Sequence, residues 1–163
     1  MKFRQMCLAA TLGLAALGSA HADQTWFWSY TGSGVNASGT FTTAGPALVF
    51  EDVLSITGSR NGQPILGLVP LDTDPDFIYD NQFSSVGDHF TDGGLLMAFG
   101  GGLPNVNLYF FNGSYTDLFI DGAGDPIETA VNFSVSAVPE PATGLAWLAG
   151  LGLMGLWARR RAA

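Results

Sequence analysis

Residues 48–69 read LVFEDVLSITGSRNGQPILGLV, and the fold class turns on how this stretch is read. Val49, Val53 and Ile56 mark a strand-like run over 48–57, while 47–54 taken alone also suits a local helix. Arg60-Asn61-Gly62-Gln63 favours the strand. Asn-Gly supplies the two positive-φ centres of a tight two-residue hairpin, so the chain reverses there and 65–69 returns as the partner strand. Runs of the same character lie on both sides. Trp26, Trp28 and Tyr30 alternate with Phe27, Ser29 and Thr31, and residues 38–43 set small polar side chains around Phe41. Further runs cover 77–83, 95–99, 106–111, 115–120 and 129–135. Turn residues divide them at Gly100-Gly101-Gly102, Asn112-Gly113 and Asp121-Gly122-Ala123-Gly124-Asp125. Eight or nine short strands, without long helical patterns or a repeat of constant period, predict a mainly β body: an antiparallel β-sandwich or barrel.

The chain has 163 residues, enough for one ordinary domain. It is 47% hydrophobic, 12% charged and carries a net charge of −8. The apolar content excludes a highly charged disordered chain. The acidic balance excludes a basic nucleic-acid-binding domain, which needs a positive face to neutralise phosphates.

The two ends read as addresses. Residues 1–22 begin with Lys2 and Arg4, continue with an apolar run from Met6 to Leu17, and finish on Ala20-His21-Ala22. That is the grammar of a signal peptide, a short helix handed to the Sec translocon and cut by signal peptidase between Ala22 and Asp23, with Ala20 and Ala22 in the small-residue pocket. Cys7, the only cysteine, leaves with it, so the mature chain offers no disulfide and no thiolate. At the other end, Pro139 and Pro141 set a sharp start to residues 142–158, which hold no charge and meet the lower length limit for one transmembrane helix. Trp157 suits the interface, and Arg159, Arg160 and Arg161 anchor the tail on the cytoplasmic side. The domain order is then 1–22 signal peptide, 23–138 β-rich exported domain, and 139–163 tail.

Pro139-Glu140-Pro141, a Gly/Ala/Leu-rich apolar segment and a terminal arginine cluster, in that order, resemble the PEP-CTERM sorting signal. The same tail also carries the label ice-binding-protein C-terminal domain, which says nothing about ice. The resemblance implies a Gram-negative source and recognition of Pro139, Glu140 and Pro141 by exosortase, an integral membrane processing enzyme. It also implies transient residence in the inner membrane as a single-pass protein. Transfer to the cell surface or extracellular matrix follows, often alongside exopolysaccharide and biofilm. Ser55-Ile56-Thr57-Gly58, Asn61-Gly62 and Val106-Asn107-Leu108-Tyr109 resemble ectodomains seen with this tail, which supports a β fold and carries no activity.

Within 23–138 a single basic residue, Arg60, faces thirteen acidic ones, a net charge of −12. Such a surface repels nucleic acid and attracts divalent cations or basic partners. Asp72-Thr73-Asp74-Pro75-Asp76 with Asp80 is the densest acidic cluster, a candidate Ca²⁺ loop. The EF-hand pattern fails there, with Phe77 where glycine is required and Phe83 where the bidentate glutamate belongs. Trp26, Trp28 and Tyr30 are a candidate platform for a sugar, since flat rings offer large contact area with a polar handle. The same stripe equally fits the core side of a strand. His89, with Asp88 or Asp92 as orienting carboxylate, is the one histidine left for acid–base chemistry, but no G-x-S-x-G nucleophile elbow accompanies it. Paired carboxylates for glycoside hydrolysis are inevitable by number and mark no particular pair. Asn36, Asn112 and Asn132 begin N-x-Ser triplets, glycosylation acceptors where the machinery exists. The expectation is an exported, non-enzymatic surface or matrix protein without a cofactor, with a carbohydrate-binding module of the matrix as the first alternative and a secreted hydrolase as the second.

Overall fold

The computed structural model describes residues 23–139. The expected signal helix and the 142–158 transmembrane helix lie outside the described residues. Among those that are described, no helix is long and apolar enough to cross a membrane.

Nine strands follow one another: β1 Gln24–Gly32, β2 Val35–Thr43, β3 Glu51–Arg60, β4 Gln63–Leu68, β5 Gln82–Phe83, β6 Leu95–Phe99, β7 Val106–Phe111, β8 Ser114–Ile120 and β9 Pro126–Ala137. Every pairing is antiparallel. The sheet runs β2-β1-β9-β8-β7-β6-β4-β3, and β2 pairs again with β3, so eight strands close into a barrel while β5 adds to the start of β3. Of the two expected architectures, the barrel is the one formed. Pairing β1 with both β2 and β9 leaves no free edge at the chain ends.

The strands alternate up and down, which gives the barrel two unlike rims. β1 starts and β9 ends at one of them, here the near rim. The other, the far rim, carries the turns β1–β2, β3–β4, β6–β7 and β8–β9. Both Asn-Gly dipeptides form two-residue turns with positive φ at each centre: Asn61 at 49° and Gly62 at 79°, Asn112 at 51° and Gly113 at 81°. These torsions match the twist of the strands they join.

Eight strands enclose a space that side chains just fill. Trp26, Trp28 and Tyr30 of β1, Phe41 of β2, Ile56 of β3, Ile65 of β4, Met97 of β6, Leu108 of β7 and Val131 of β9 are buried in one cluster. The outer wall is mixed: hydroxyls pair across strands at Thr40–Thr57 (3.0 Å) and Thr42–Ser55 (2.8 Å), while Phe27, Leu54 and Leu66 stand exposed. The interior is the apolar side, unlike the polar lumen of a lipid-facing barrel.

The opening stretch departs from its reading in detail. The local helix over 47–54 is not formed; Ala47 sits buried in a bend with φ of 48°, and β3 begins only at Glu51. Val49, read as part of the strand run, is exposed ahead of it. Val53 and Ile56 both point inward despite spacing of three, because the register against β2 shifts between Thr42–Ser55 and Thr43–Val53. A bulge there adds a residue to β3 and restores the apolar side chain to the core. Higher up, β2 and β3 approach so closely that a Cβ on Gly39 would stand 1.9 Å from the Thr57 carbonyl oxygen. Only glycine fits at that crossing.

The run at 77–83 is a strand only at Gln82–Phe83. Most of the 69–94 segment lies outside the barrel wall and is held by two buried amides. Asn81 donates through Nδ2 to the Val69 carbonyl (2.8 Å) and accepts the Leu96 N–H on Oδ1 (2.9 Å), while its own carbonyl accepts the Val53 N–H (2.9 Å). It replaces ladder bonds where β3 and β4, paired only from Gly58 to Arg60, diverge. Asn107 donates to the carbonyls of Ile78 (3.0 Å) and Gly93 (2.8 Å). Leu96 and Asn107 are therefore covered on the face opposite the barrel interior.

Candidate functional site

The polar centre of the barrel interior lies toward the far rim, where the strands bring together three residues distant in sequence. Arg60 ends β3, Asp117 is central in β8 and Tyr30 is near the end of β1. The guanidinium grips the carboxylate with two hydrogen bonds: Nε donates to Asp117 Oδ2 (2.8 Å) and Nη2 to Oδ1 (2.6 Å). The Tyr30 hydroxyl donates to Oδ2 (2.6 Å). The Asp117 side chain is 0% exposed and that of Arg60 17%. The guanidinium carbon also sits 5.3 Å from the centre of the Phe119 ring.

Burial, and then the Asp117 charge, push the Tyr30 hydroxyl well above the ordinary tyrosine value. Burial alone would lower the Arg60 value, but the hydrogen bonds and charge of Asp117 outweigh it and hold the guanidinium above its usual range. The group is therefore a fixed ion pair with a neutral phenol. Above it opens a cavity of about 370 Å³ lined by Arg60, Gln63, Phe99, Leu103, Pro104 and Phe119. Barrel mouths of this size and mixed lining are common places for small ligands.

Trp26, Trp28 and Tyr30 do not form an exposed sugar platform. They are 7%, 4% and 1% exposed and fill the barrel interior, because the inward phase of β1 is theirs and the outward phase belongs to Phe27, Ser29 and Thr31. The Trp26 indole donates to Thr43 Oγ1 (2.9 Å).

The candidate Ca²⁺ loop is also corrected. Asp74 Oδ1 accepts the Asp76 N–H and its Oδ2 accepts Asn105 Nδ2 (2.8 Å), while Asp80 accepts the Gln82 N–H and the Thr91 hydroxyl. Asp74 and Asp80 thus brace the 69–94 segment, while Asp72 and Asp76 are exposed. Among the described residues no three His, Cys, Asp or Glu side chains come together to hold a metal.

His89 lies near the other rim with φ of 59°, its Nδ1 2.9 Å from the Ser84 carbonyl, stacked on Phe83 and edge-on to Phe133. Asp88 is exposed beside it. Asn36, Asn112 and Asn132 are all exposed. Of the terminal residues singled out, Asp23 and Pro139 are exposed, and Ala20, Ala22, Glu140, Pro141 and Arg159 to Arg161 lie outside the described residues.

The Arg60–Asp117–Tyr30 group escaped the sequence reading, though one signal pointed to it. A lone basic residue in a segment of net charge −12 has every reason to be held by a specific carboxylate. Which of thirteen acids holds it depends on the β3 and β8 positions around the barrel.

β9 ends at Ala137, and the PEP-CTERM protein-sorting motif matches residues 137–162. The chain is thus a closed antiparallel β-barrel followed at once by a C-terminal sorting signal. That signal marks an exported protein, transiently anchored in the membrane and processed by exosortase. No curated protein and no solved structure matches the chain.

Proposed function

We propose that this protein is a non-catalytic component of the bacterial cell surface or extracellular matrix, associated with exopolysaccharide or biofilm. Its barrel is the delivered cargo and its tail the disposable handle. The observation that carries this reading is the coincidence of boundaries: the last strand residue, Ala137, is also the first residue of the sorting motif. The Val138 N–H still bonds to the Thr25 carbonyl (2.8 Å), so a cut at Pro139–Pro141 would leave every barrel pairing intact. The stacked, carbonyl-bonded setting of His89 supports a structural role for the one mature histidine. Replacing Pro139 and Glu140 with alanine should leave the chain full-length and membrane-retained, as read by fractionation and blotting. Normal release of that variant would overturn the sorting assignment.

A second reading, binding of a matrix sugar, is favoured by the far-rim cavity. Phe99 and Phe119 offer ring faces, and Gln63 and Arg60 offer donors. Retention on purified exopolysaccharide should drop in Gln63→Ala, whose side chain is exposed, with no change in melting temperature. Unchanged retention would remove the cavity as the binding site.

A further inference from the structure

The near rim carries apolar side chains that its packing does not use. The β2–β3 connection presents Leu48, Val49 and Phe50 at 64%, 68% and 44% exposure, Val86 at 54% stands in the 69–94 segment, and Phe111 at 55% lies at the β7–β8 turn. The projecting loop is a fixed feature. Ala47 is buried, and its carbonyl accepts both the N–H (2.7 Å) and the hydroxyl (2.9 Å) of Ser85, which ties the Leu48–Phe50 tip to the neighbourhood of Val86. Single exposed apolar residues also stand on the wall, at Phe27, Leu54 and Leu66, and at the far rim, at Leu103. The near rim differs in carrying three in a row on one projecting loop with others beside it, and such a group calls for a partner.

The chain itself indicates which partner. β9 leaves the barrel at this same rim, and Val138 is pinned there by its N–H to Thr25 and by Gln24 Nε2 to its carbonyl (3.1 Å). Only Pro139, Glu140 and Pro141 separate it from the uncharged residues 142–158. Extended, that connection reaches at most about 14 Å. A bilayer spanned by 142–158 must therefore lie close beneath the near rim, while the far-rim cavity opens away from it.

We propose that the near rim is a membrane-docking face. Leu48, Val49, Phe50 and Phe111 seat the barrel on the lipid interface while the tail is anchored. The occupant is a net-neutral lipid surface. Glu51, Asp52 and Asp88 flank the apolar tips, and among the described residues the only Lys or Arg is Arg60, on the far rim, so an anionic surface would repel this face. The proposal rests on the anchoring role of 142–158 given under the proposed function.

The test uses the full chain with Cys7→Ser, reconstituted into vesicles of phosphatidylcholine and phosphatidylethanolamine that carry a headgroup-level nitroxide quencher. Single cysteines at exposed positions, Val49→Cys, Phe111→Cys and Ala123→Cys, bear an environment-sensitive fluorophore, and unchanged melting temperatures verify the fold. Labels at 49 and 111 should be quenched several-fold more than the far-rim label at 123. Equal quenching at all three positions, in protein that floats with the vesicles, overturns the docking face and leaves the anchor standing. Protein that does not float with the vesicles overturns the anchor, and the docking face with it.

Discussion

The two halves of the barrel interior solve the same filling problem with opposite chemistry. Toward the near rim the space is closed by rings. Phe41 and Phe83 meet at 4.6 Å, Trp26 and Phe83 at 5.1 Å, and Phe90 and Phe133 at 4.8 Å. Toward the far rim it is closed by an ion pair and a phenol, with a cavity above. Aromatic packing is tolerant, because each ring has many neighbours and, of these five, only Trp26 carries a polar atom to match, its N–H to Thr43 Oγ1. A buried ion pair is not, because removing either partner strands a charge in low dielectric. The near half should therefore supply stability, and the far half should supply a single defined arrangement of β3, β8 and β1.

The largest expected effect separates these roles. Removing one member of the pair, in Asp117→Ala or Arg60→Ala, should cost about 3–5 kcal/mol. Replacing both by apolar residues, Arg60→Met with Asp117→Leu, should recover most of that loss. No second substitution should rescue Phe83→Ala so simply, since what it leaves is a cavity. Urea denaturation of the four variants checks the contrast, and a double variant as unstable as Asp117→Ala would break it.

A smaller effect appears with alkali. The folded-state value of Tyr30 is raised by burial and by Asp117, so the folded chain holds this proton more tightly than the unfolded chain does. Its contribution is fully present below the unfolded tyrosine value of 10.0 and is lost as pH rises beyond it. Tyr30→Phe should flatten the fall in denaturation midpoint above that pH. A shallower slope should persist from Tyr115, raised by burial and by Asp88 near the other rim, and from Tyr109, raised by burial and by Glu128. An unchanged slope in Tyr30→Phe would show that the far-rim network does not govern alkaline stability.

The smallest effect compares the two Asn-Gly turns. Either asparagine replaced by alanine should cost about 1 kcal/mol for the left-handed backbone. Asn61 should cost about 1 kcal/mol more, because its Oδ1 accepts the Asn36 N–H (2.8 Å) and its Nδ2 donates to the Gly34 carbonyl (3.1 Å). Equal melting temperatures for Asn61→Ala and Asn112→Ala would show that this strap between far-rim turns carries no weight.

Much of the strand inventory was legible in local pattern. Leu95–Phe99 and Val106–Phe111 match the runs read from sequence, and both Asn-Gly turns fall where positive φ was required. The readings that failed share one cause. The period-two stripe Trp26, Trp28, Tyr30 says that three side chains lie on one face and is silent on whether that face is wet. The acidic run from Asp72 to Asp80 says that oxygens are plentiful, whereas their convergence depends on what else the loop must bond, here Asn105, Gln82 and Thr91. The helical alternative over 47–54 fits local spacing, and it is removed by the bend at Ala47 and the pairing of β3 with β2.

By itself, the order of residues determined what depends on neighbours a few positions apart: short strands, tight turns, and the apolar tail with its Pro139-Glu140-Pro141 entrance and arginine end. Closure belonged to the tertiary structure. Joining β1 to β9 and β2 to β3 turned one face of every strand inward. That placed Arg60 against Asp117 across 57 residues of sequence and gathered the exposed Leu48, Val49 and Phe111 on the rim from which the tail departs. Such pairings are selected by how loops close and interiors fill, which are properties of the whole chain and not of any stretch within it.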